Sequence, residues 1–569
     1  MKKQKFTTLV TPYASEMNKN IPWNEYPRPS MVRGSFLCLN GEWDFAISTS
    51  DAVSDYSEKI LVPFPPESLL SGIERIKKDG ELLHYRRSFY LPEGFEGDRI
   101  ILHFGAVDTI CTVYLNGERV ADHDGGYLPF SVDITKFTFK SGKNNLYVIV
   151  KDNLNKIYPY GKQTKKRGGM WYTPVSGIWQ TVWIEGLPEK YIHRIKLTTT
   201  AANVRLQVVG GEEHKKIILR SGEVFEFDGE SFDFCPKEKH LWSPEDPYLY
   251  YFTLECGEDR VESYFALREI GIGEFNGIPR LTLNGKPYLF NGLLDQGYYP
   301  DGIFLPATSK GYEDDIIRMK ECGFNMLRKH IKIEPEIFYH LCDKLGMVVF
   351  QDMVNNSGYS FFIDTVLPTI GLKSIPILFR HKSKRSQEIF IRDMIRTQEH
   401  LYSFPSVLYY TIFNEGWGQF KADETYELAK FLDPTRVYDA TSGWFYRKKS
   451  DVDSRHVYFK PVKLGKLTKR PIVISEFGGY SHRVKNHIFG DEEYGYSSFD
   501  TCEEFEAAFR KLYGEEIKPL ISQGISALVY TQVSDVEDET NGLLTYDRKV
   551  LKVDSEKIKS LMDQLYKEI

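Results

Sequence analysis

Two glutamates stand where acid–base chemistry would need them. The stretch Val407-Leu-Tyr-Tyr-Thr-Ile-Phe-Asn-Glu-Gly416 runs seven apolar, aromatic or β-branched residues together and then delivers Asn414 and Glu415. An unbroken run of this kind suits a strand buried on both faces, as in a parallel sheet covered by helices. Carboxylates at the C-terminal ends of such strands are where barrel enzymes place their chemistry. The second stretch, Pro471-Ile-Val-Ile-Ser-Glu-Phe-Gly-Gly479, repeats the pattern and delivers Glu476. One strand-end Glu is as easily a helix cap or the partner of an arginine. Two of them, each ending an apolar strand, suit cleavage of a glycosidic bond. There one carboxyl is neutral and protonates the leaving oxygen, while the other is ionised and attacks carbon or activates water.

The elements that must hold this pair belong to a chain of 569 residues, too long for one ordinary domain. With 41% hydrophobic and 27% charged residues the composition is that of a globular protein. The net charge of −6, with both signs interspersed, argues against nucleic acid as a partner. Aromatic residues reach 14%, which suits sugar-binding faces and equally any β-rich fold. The first twenty residues hold no apolar core of a signal peptide, and no run of eighteen apolar residues exists. The expectation is therefore no secretion signal, no membrane span and a cytoplasmic setting. Cys38, Cys111, Cys235, Cys256, Cys322, Cys342 and Cys502 are scattered without a CxxC pair, so neither a zinc site nor a disulfide framework is indicated.

From Trp23 to Glu185 short alternating segments are punctuated by Asn40-Gly41, Asn116-Gly117 and Asp124-Gly125, the signature of a β-sandwich. A shorter β region follows to about residue 272. Beyond it β and α patterns alternate. Strands are expected at Tyr288–Asn291, Asn325–Arg328, Met347–Phe350, Val407–Phe413, Arg436–Asp439, His456–Phe459, Ile472–Ile474 and Ala527–Tyr530. Helices are expected at Tyr312–Cys322, Glu334–Lys344, Gln387–Tyr402, Cys502–Ser522 and 554–566. Eight strands with helical connections count out a (β/α)8 barrel. The stretch 354–385, with Tyr359, Phe361, Phe362 and the basic run Arg380–Arg385, exceeds what a barrel needs, and long loops of this kind are functional or mediate contacts. The basic, aromatic loop 155–172 is either a solvated loop or an active-site rim.

The succession Leu39-Asn-Gly-Glu-Trp-Asp-Phe45, Val113-Tyr-Leu-Asn-Gly117, Tyr127-Leu-Pro-Phe-Ser-Val-Asp-Ile134 and Gly177-Ile-Trp-Gln-Thr-Val-Trp183 resembles the N-terminal domain of glycoside hydrolase family 2, which includes β-galactosidases, β-glucuronidases and β-mannosidases. The resemblance implies a multidomain chain: a jelly-roll β-sandwich over 1–186, a short, trimmed immunoglobulin-like β-sandwich over 187–272, and a catalytic (β/α)8 TIM barrel over 273–569. It also implies Glu415 as acid/base and Glu476 as nucleophile, with Asn414 on the sugar 2-hydroxyl. Arg328 and His330 match its second-strand signature. Strand ends add Asp295, Gln296, Asp352, Trp444, His456, Tyr530 and Gln532 as substrate-binding candidates, with Trp444 or Tyr530 as a platform under the ring. Neither metal nor cofactor is called for. The partner is an oligosaccharide or glycoside, and a homo-oligomer is left open.

No lysine precedes Gly542, where family glucuronidases carry one to read the sugar carboxylate; Asp535, Glu537, Asp538 and Glu539 crowd the place instead. The expected substrate is therefore a neutral β-linked sugar, of the galactose or arabinopyranose kind. Alternatives are a uronide-specific member, a transglycosylase using the same two glutamates, and a carbohydrate-binding protein without catalysis.

Overall fold

The computed structural model describes residues 9–569 apart from Glu96, Phe361, Ile363, 365–382, Tyr446, Phe459, 466–467 and 491–493. Much of the long stretch 354–385, including Phe361 and Arg380, thus lies outside the described residues.

Between residues 36 and 187 two antiparallel sheets face each other. One is built from Phe36–Cys38, Val182–Leu187, Arg99–Phe104 and Phe130–Asp133. The other is built from Glu58–Val62, Gly41–Ser48, Leu82–Phe89, Asn144–Lys151, Ile110–Leu115 and Glu118–Asp124. Alternating inward residues such as Trp43, Phe45, Leu102, Val148 and Ile184 fill the space between them. A second sandwich follows, with three strands in one sheet (Ile192–Thr199, Val204–Gly210, Ser231–Phe234) and four in the other (Val224–Asp228, His214–Leu219, Tyr250–Cys256, Asp259–Phe265). It is short without having lost strands: seven is the full complement of a constant-type immunoglobulin sandwich.

The barrel strands are Phe290–Asp295, Met326–Lys329, Val348–Asp352, Val407–Phe413, Val437–Thr441, Asp453–Val457, Ile472–Gly478 and Ile525–Thr531, all parallel. Their lateral order, by position in the chain, is fifth, fourth, third, second, first, eighth, seventh, sixth. No ladder joins the fifth to the sixth among the described residues; one backbone bond, Asp451 N to Tyr438 O at 3.0 Å, closes that seam near its lower end. The hairpin Ile270–Phe275/Ile278–Leu283 plugs the bottom, placing Leu281 and Leu283 with Phe290, Met326, Phe350 and Val529. The opposite faces of the strands pack on helices Lys310–Glu321, Glu336–Leu345, Lys384–Leu401 and Ser555–Leu565. Residues alternate between two apolar environments, which is why these strands read as unbroken apolar runs. The helix expected over Cys502–Ser522 is interrupted. Cys502–Lys511 is α-helical, and a wider turn at Leu512–Ile517 leads into Lys518–Ile521.

The loop 155–172 leaves the first sandwich and lies on the barrel mouth. Tyr160 and Gly161 donate from their backbone to Asn355 O at 3.1 and 3.4 Å. Gly161 has a φ of +62°, and a Cβ there would meet Ile331 O at 2.8 Å, so the approach requires glycine. The loop is anchored from below by Gln163, which donates to Asp108 Oδ2 at 2.9 Å and accepts from Val175 N at 2.7 Å. Burial, then the charge of Asp152, pushes the Asp108 carboxyl up to about 8; burial pushes Glu67, which accepts from Ser176, up to about 8 as well. Carboxyls raised in the folded state stabilise it fully below their unfolded value of about 4, and that contribution is lost as pH rises through about 8. The unfolding temperature, followed by calorimetry, is therefore expected to fall as pH goes from about 5 to about 9. A flat or rising profile would mean these carboxyls are charged in the folded protein.

Candidate active site

Glu415 and Glu476 face each other across the C-terminal mouth of the barrel, from the ends of the fourth and seventh strands. With His456 of the sixth strand they offer ligand atoms that all lie within 4.8 Å of one another. All three are buried. His456 sits between the carboxylates, Nδ1 at 3.1 Å from Glu415 Oε1 and Nε2 at 3.5 Å from Glu476 Oε1. A cation held by these three would fill the space between the two carboxylates, where a reacting sugar carbon would have to sit.

Arg328 organises the floor. Its Nε donates to Asp352 Oδ1 at 2.9 Å. Nη1 donates to Ser475 O at 2.8 Å and Glu476 Oε1 at 3.0 Å, and Nη2 to Asn414 Oδ1 at 2.9 Å and Ser442 Oγ at 3.4 Å. Asp352 in turn fixes His330 through Nδ1 at 2.7 Å. Burial alone would raise the Glu476 carboxyl. The charges of His456, Arg328 and His330, with a hydrogen bond from Tyr458, outweigh it and hold Glu476 down to about 2. It is thus an anion at every working pH.

Glu415 follows a strand that ends abruptly. Its φ of +50° and ψ of 22° lie in the left-handed region, which a residue with a side chain enters at a cost of about 1–3 kcal/mol. Ser442 Oγ accepts its backbone N–H at 3.1 Å and donates to Asn414 Oδ1 at 2.8 Å, pinning the turn. Asn414 spends its oxygen on Arg328 and Ser442, so its amide nitrogen is the part turned to other partners.

The sequence-derived candidates divide. Asn414, Arg328, His330, Asp352 and His456 converge on the two glutamates, and Trp444 lies beside them with its ring 5.5 Å from that of His456. Asp295, Gln296, Gln532 and Tyr530 do not. Asp295 pairs with Lys329 at 2.6 Å, within a buried network that includes Glu334 and Lys332. Gln296 donates to Gln532 Oε1 at 2.9 Å, and Gln532 donates to Asn541 at 2.8 Å, a brace between loops. Tyr530 as a sugar platform is corrected. It points outward into the helical layer, 4.8 Å from the ring of Phe509 and 5.8 Å from that of Phe477. Its neighbour Thr531 takes the inward position.

Several site groups escaped sequence reasoning. Tyr458 donates its hydroxyl to Glu476 Oε2 at 2.5 Å. It lies two residues beyond His456, just past the end of the sixth strand, and that spacing was the available signal. Trp417 meets Trp171 of the long loop at 5.2 Å and Tyr359 at 5.8 Å, walling the side on which Glu415 lies. Tyr172 of the same loop bonds Glu539, and Thr173 N donates to Glu537 at 2.8 Å. The loop 155–172 is thus part of the rim, and the described start of the 354–385 stretch packs against it.

Comparison with known proteins agrees with this architecture. The description "Glycosyl hydrolase 2 galactose-binding domain-like" matches residues 77–178, and "Glycosyl hydrolases family 2, TIM barrel domain" matches 279–526. A β-galactosidase of Thermoanaerobacter pseudethanolicus is 26% identical over 297 residues, 47% of this chain and 39% of that protein. A β-glucuronidase of Bacteroides fragilis is 24% identical over 445 residues, 71% of this chain and 61% of its own length. The chain thus spans less than two thirds of either relative. The solved β-D-glucuronidase of Dictyoglomus thermophilum superposes with a TM-score of 0.75 at 19% identity, covering 95% of this chain and 98% of that one. Two models of one family, matched in order over the sandwich and the barrel that here enclose the paired glutamates, lead to one conclusion: the chain belongs to glycoside hydrolase family 2.

Proposed function

We propose that this protein is a retaining, exo-acting glycosidase that removes a terminal β-linked neutral sugar of the galactose kind. The observation that carries the proposal is the spacing and environment of Glu415 and Glu476. Oxygen atoms of the two lie within 4.8 Å, which fits the separation of about 5–5.5 Å between carboxyls in retaining enzymes better than the 6.5–9.5 Å that leaves room for water in inverting ones. Glu476, an anion held by Arg328 and Tyr458, attacks the anomeric carbon while Glu415 gives its proton to the departing oxygen. A glycosyl ester on Glu476 results. Glu415, now ionised, takes a proton from water, and the hydroxide so formed displaces Glu476 and restores both groups. The free amide nitrogen of Asn414 is placed for the sugar 2-hydroxyl. Beyond the eighth strand Glu537 and Asp538 face Arg167 at 3.9 and 3.7 Å, which leaves buried Glu539 as the acid that bears against a uronate.

The test is a panel of p-nitrophenyl glycosides spanning α and β, hexose, pentose and uronide, with the first-formed anomer read by NMR. Turnover of a neutral β-glycoside with retention is expected. Inversion, or activity confined to α-linkages, would sink the proposal. With Glu415→Ala, hydrolysis of substrates with poor leaving groups is expected to fall by about 10²–10⁴-fold, and that of dinitrophenyl glycosides far less, because only the former need the proton.

A further inference from the structure

The cluster of Glu415, Glu476 and His456 has a second chemistry. Among the described residues no other group of three His, Cys, Asp or Glu side chains brings ligand atoms so close together. The donor set is one imidazole nitrogen and two carboxylate oxygens. All seven cysteines are free and none belongs to it. Such a set suits a borderline dication of the Zn²⁺ kind, which takes His and Glu together and in three-ligand sites keeps a fourth position open. Bonds of about 2.0–2.2 Å place ligand atoms about 3.4 Å apart at tetrahedral angles. His456 meets Glu415 Oε1 at 3.1 Å through Nδ1 and Glu476 Oε1 at 3.5 Å through Nε2. One of these nitrogens takes the ion. The remaining separations, within 4.8 Å, close by rotation of the glutamate side chains.

Two further observations point to a ligand here. His456 is 5% exposed, and its Nε2 makes no hydrogen bond although it stands 3.5 Å from Glu476 Oε1. A buried nitrogen in that state is costly unless something completes the site. The carboxylate of Glu476 is also oriented from outside, as metal-ligating carboxylates are. Its Oε1 accepts from Arg328 Nη1 at 3.0 Å and its Oε2 from the Tyr458 hydroxyl at 2.5 Å. Each oxygen keeps a second lone pair for an ion. Arg328 does not repel a dication with its full charge, because Asp352 is paired with it at 2.9 Å.

We propose that Glu415, His456 and Glu476 form a binding site for Zn²⁺ or a similar borderline dication, with water in the fourth position, and that ion and glycoside exclude each other. The ion occupies the oxygens with which Glu476 attacks and Glu415 transfers its proton, so it inhibits. The binding half stands on the geometry. The exclusion rests on the glycosidase reading of the two glutamates.

The test begins without substrate. Chelator-treated wild type, His456→Ala, Glu476→Gln and, as a control, His240→Ala, which removes the exposed His240–Asp246 pair, are titrated with zinc chloride by calorimetry. Each variant is first checked for an unchanged unfolding temperature. Co²⁺ in place of Zn²⁺ reports coordination through its visible absorption. Wild type is expected to bind one ion per chain with a raised unfolding temperature. His456→Ala should weaken binding by about 100-fold or more, since a lost ligand costs more than the 10–100-fold of a lost outer partner. Glu476→Gln should weaken it by at least about 10-fold, and His240→Ala should leave it unchanged. No saturable binding by wild type, or binding that His456→Ala and Glu476→Gln leave intact, overturns the site. In turnover of an aryl glycoside, Zn²⁺ should raise KM at constant kcat with an inhibition constant equal to the calorimetric Kd. Site-bound Zn²⁺ that leaves KM unchanged overturns the exclusion. If wild type turns over no aryl glycoside, the glycosidase reading is what fails, and calorimetry with the Co²⁺ spectrum still decides the metal site.

Discussion

Glu476→Gln is expected to reduce turnover of an activated aryl glycoside on the order of 10⁴-fold or more, with the fold intact. The amide is isosteric and can still accept from Arg328 Nη1 or Tyr458, so packing at this buried position is preserved. What is lost is the negative charge that the Arg328 guanidinium and the Tyr458 hydroxyl hold in place against burial. A smaller variant, Glu476→Gly, should regain activity with azide and yield a glycosyl azide of inverted configuration, since the added anion then occupies the nucleophile's place. Because Glu476 is held down to about 2, loss of activity between pH 4 and 5 must be assigned to another group. If Glu476→Gln stays within tenfold of wild type, Glu476 is not the nucleophile.

Replacing Arg328 carries the next largest effect, and here stability and activity fall together. All five of its N–H groups are taken by five different acceptors, two of them the carboxylates of Asp352 and Glu476, and the side chain is 1% exposed. Arg328→Met leaves two buried anions without their partner, a change that costs about 3–5 kcal/mol in comparable sites. Lysine does not repair it, because three donors on a compact ammonium cannot reproduce a planar fork of five. We expect both variants to unfold several degrees lower and to lose on the order of 10³-fold in kcat, with the Glu476 carboxyl rising as its counter-charge goes. An Arg328→Lys enzyme with near-normal kcat and unfolding temperature would show that the fork orients nothing the reaction needs.

How much of this was legible in the chain follows from the physics of each element. The facing glutamates were readable because a doubly buried strand leaves an apolar run that ends in polar residues, Asn414-Glu415 in one case and Ser475-Glu476 in the other. Arg328, His330, Asp352 and His456 were readable as strand-end groups. Tyr530 was misplaced for the same reason. When both faces of a strand are apolar, the sequence does not say which residue points inward, and a tyrosine serves either side. Tyr458 was passed over because a phenol on a strand is most often packing. Trp171 lies on a loop whose basic, aromatic composition fits a solvated loop and an active-site rim equally, and only its docking on Ile331 and Asn355 brings it to the barrel. The second sandwich looked reduced because length counts loops and strands alike, whereas a sheet needs only strands.

The unlaced seam between the fifth and sixth strands makes the barrel a split ring. Glu415 follows the fourth strand, one strand in from the split, and His456 belongs to the sixth strand on its far lip, so their contact at 3.1 Å reaches over the unlaced end. A continuous hoop would fix the width of the mouth. A split one leaves that width to side-chain bonds across the seam, among them the Tyr438 N–H to Asp451 Oδ2 at 2.9 Å and the Ala440 N–H to Ser450 Oγ at 3.3 Å. The spacing of Glu415 and Glu476 is then set by side chains rather than by the sheet, and His456, 3.1 Å from one carboxylate and 3.5 Å from the other, is the clasp.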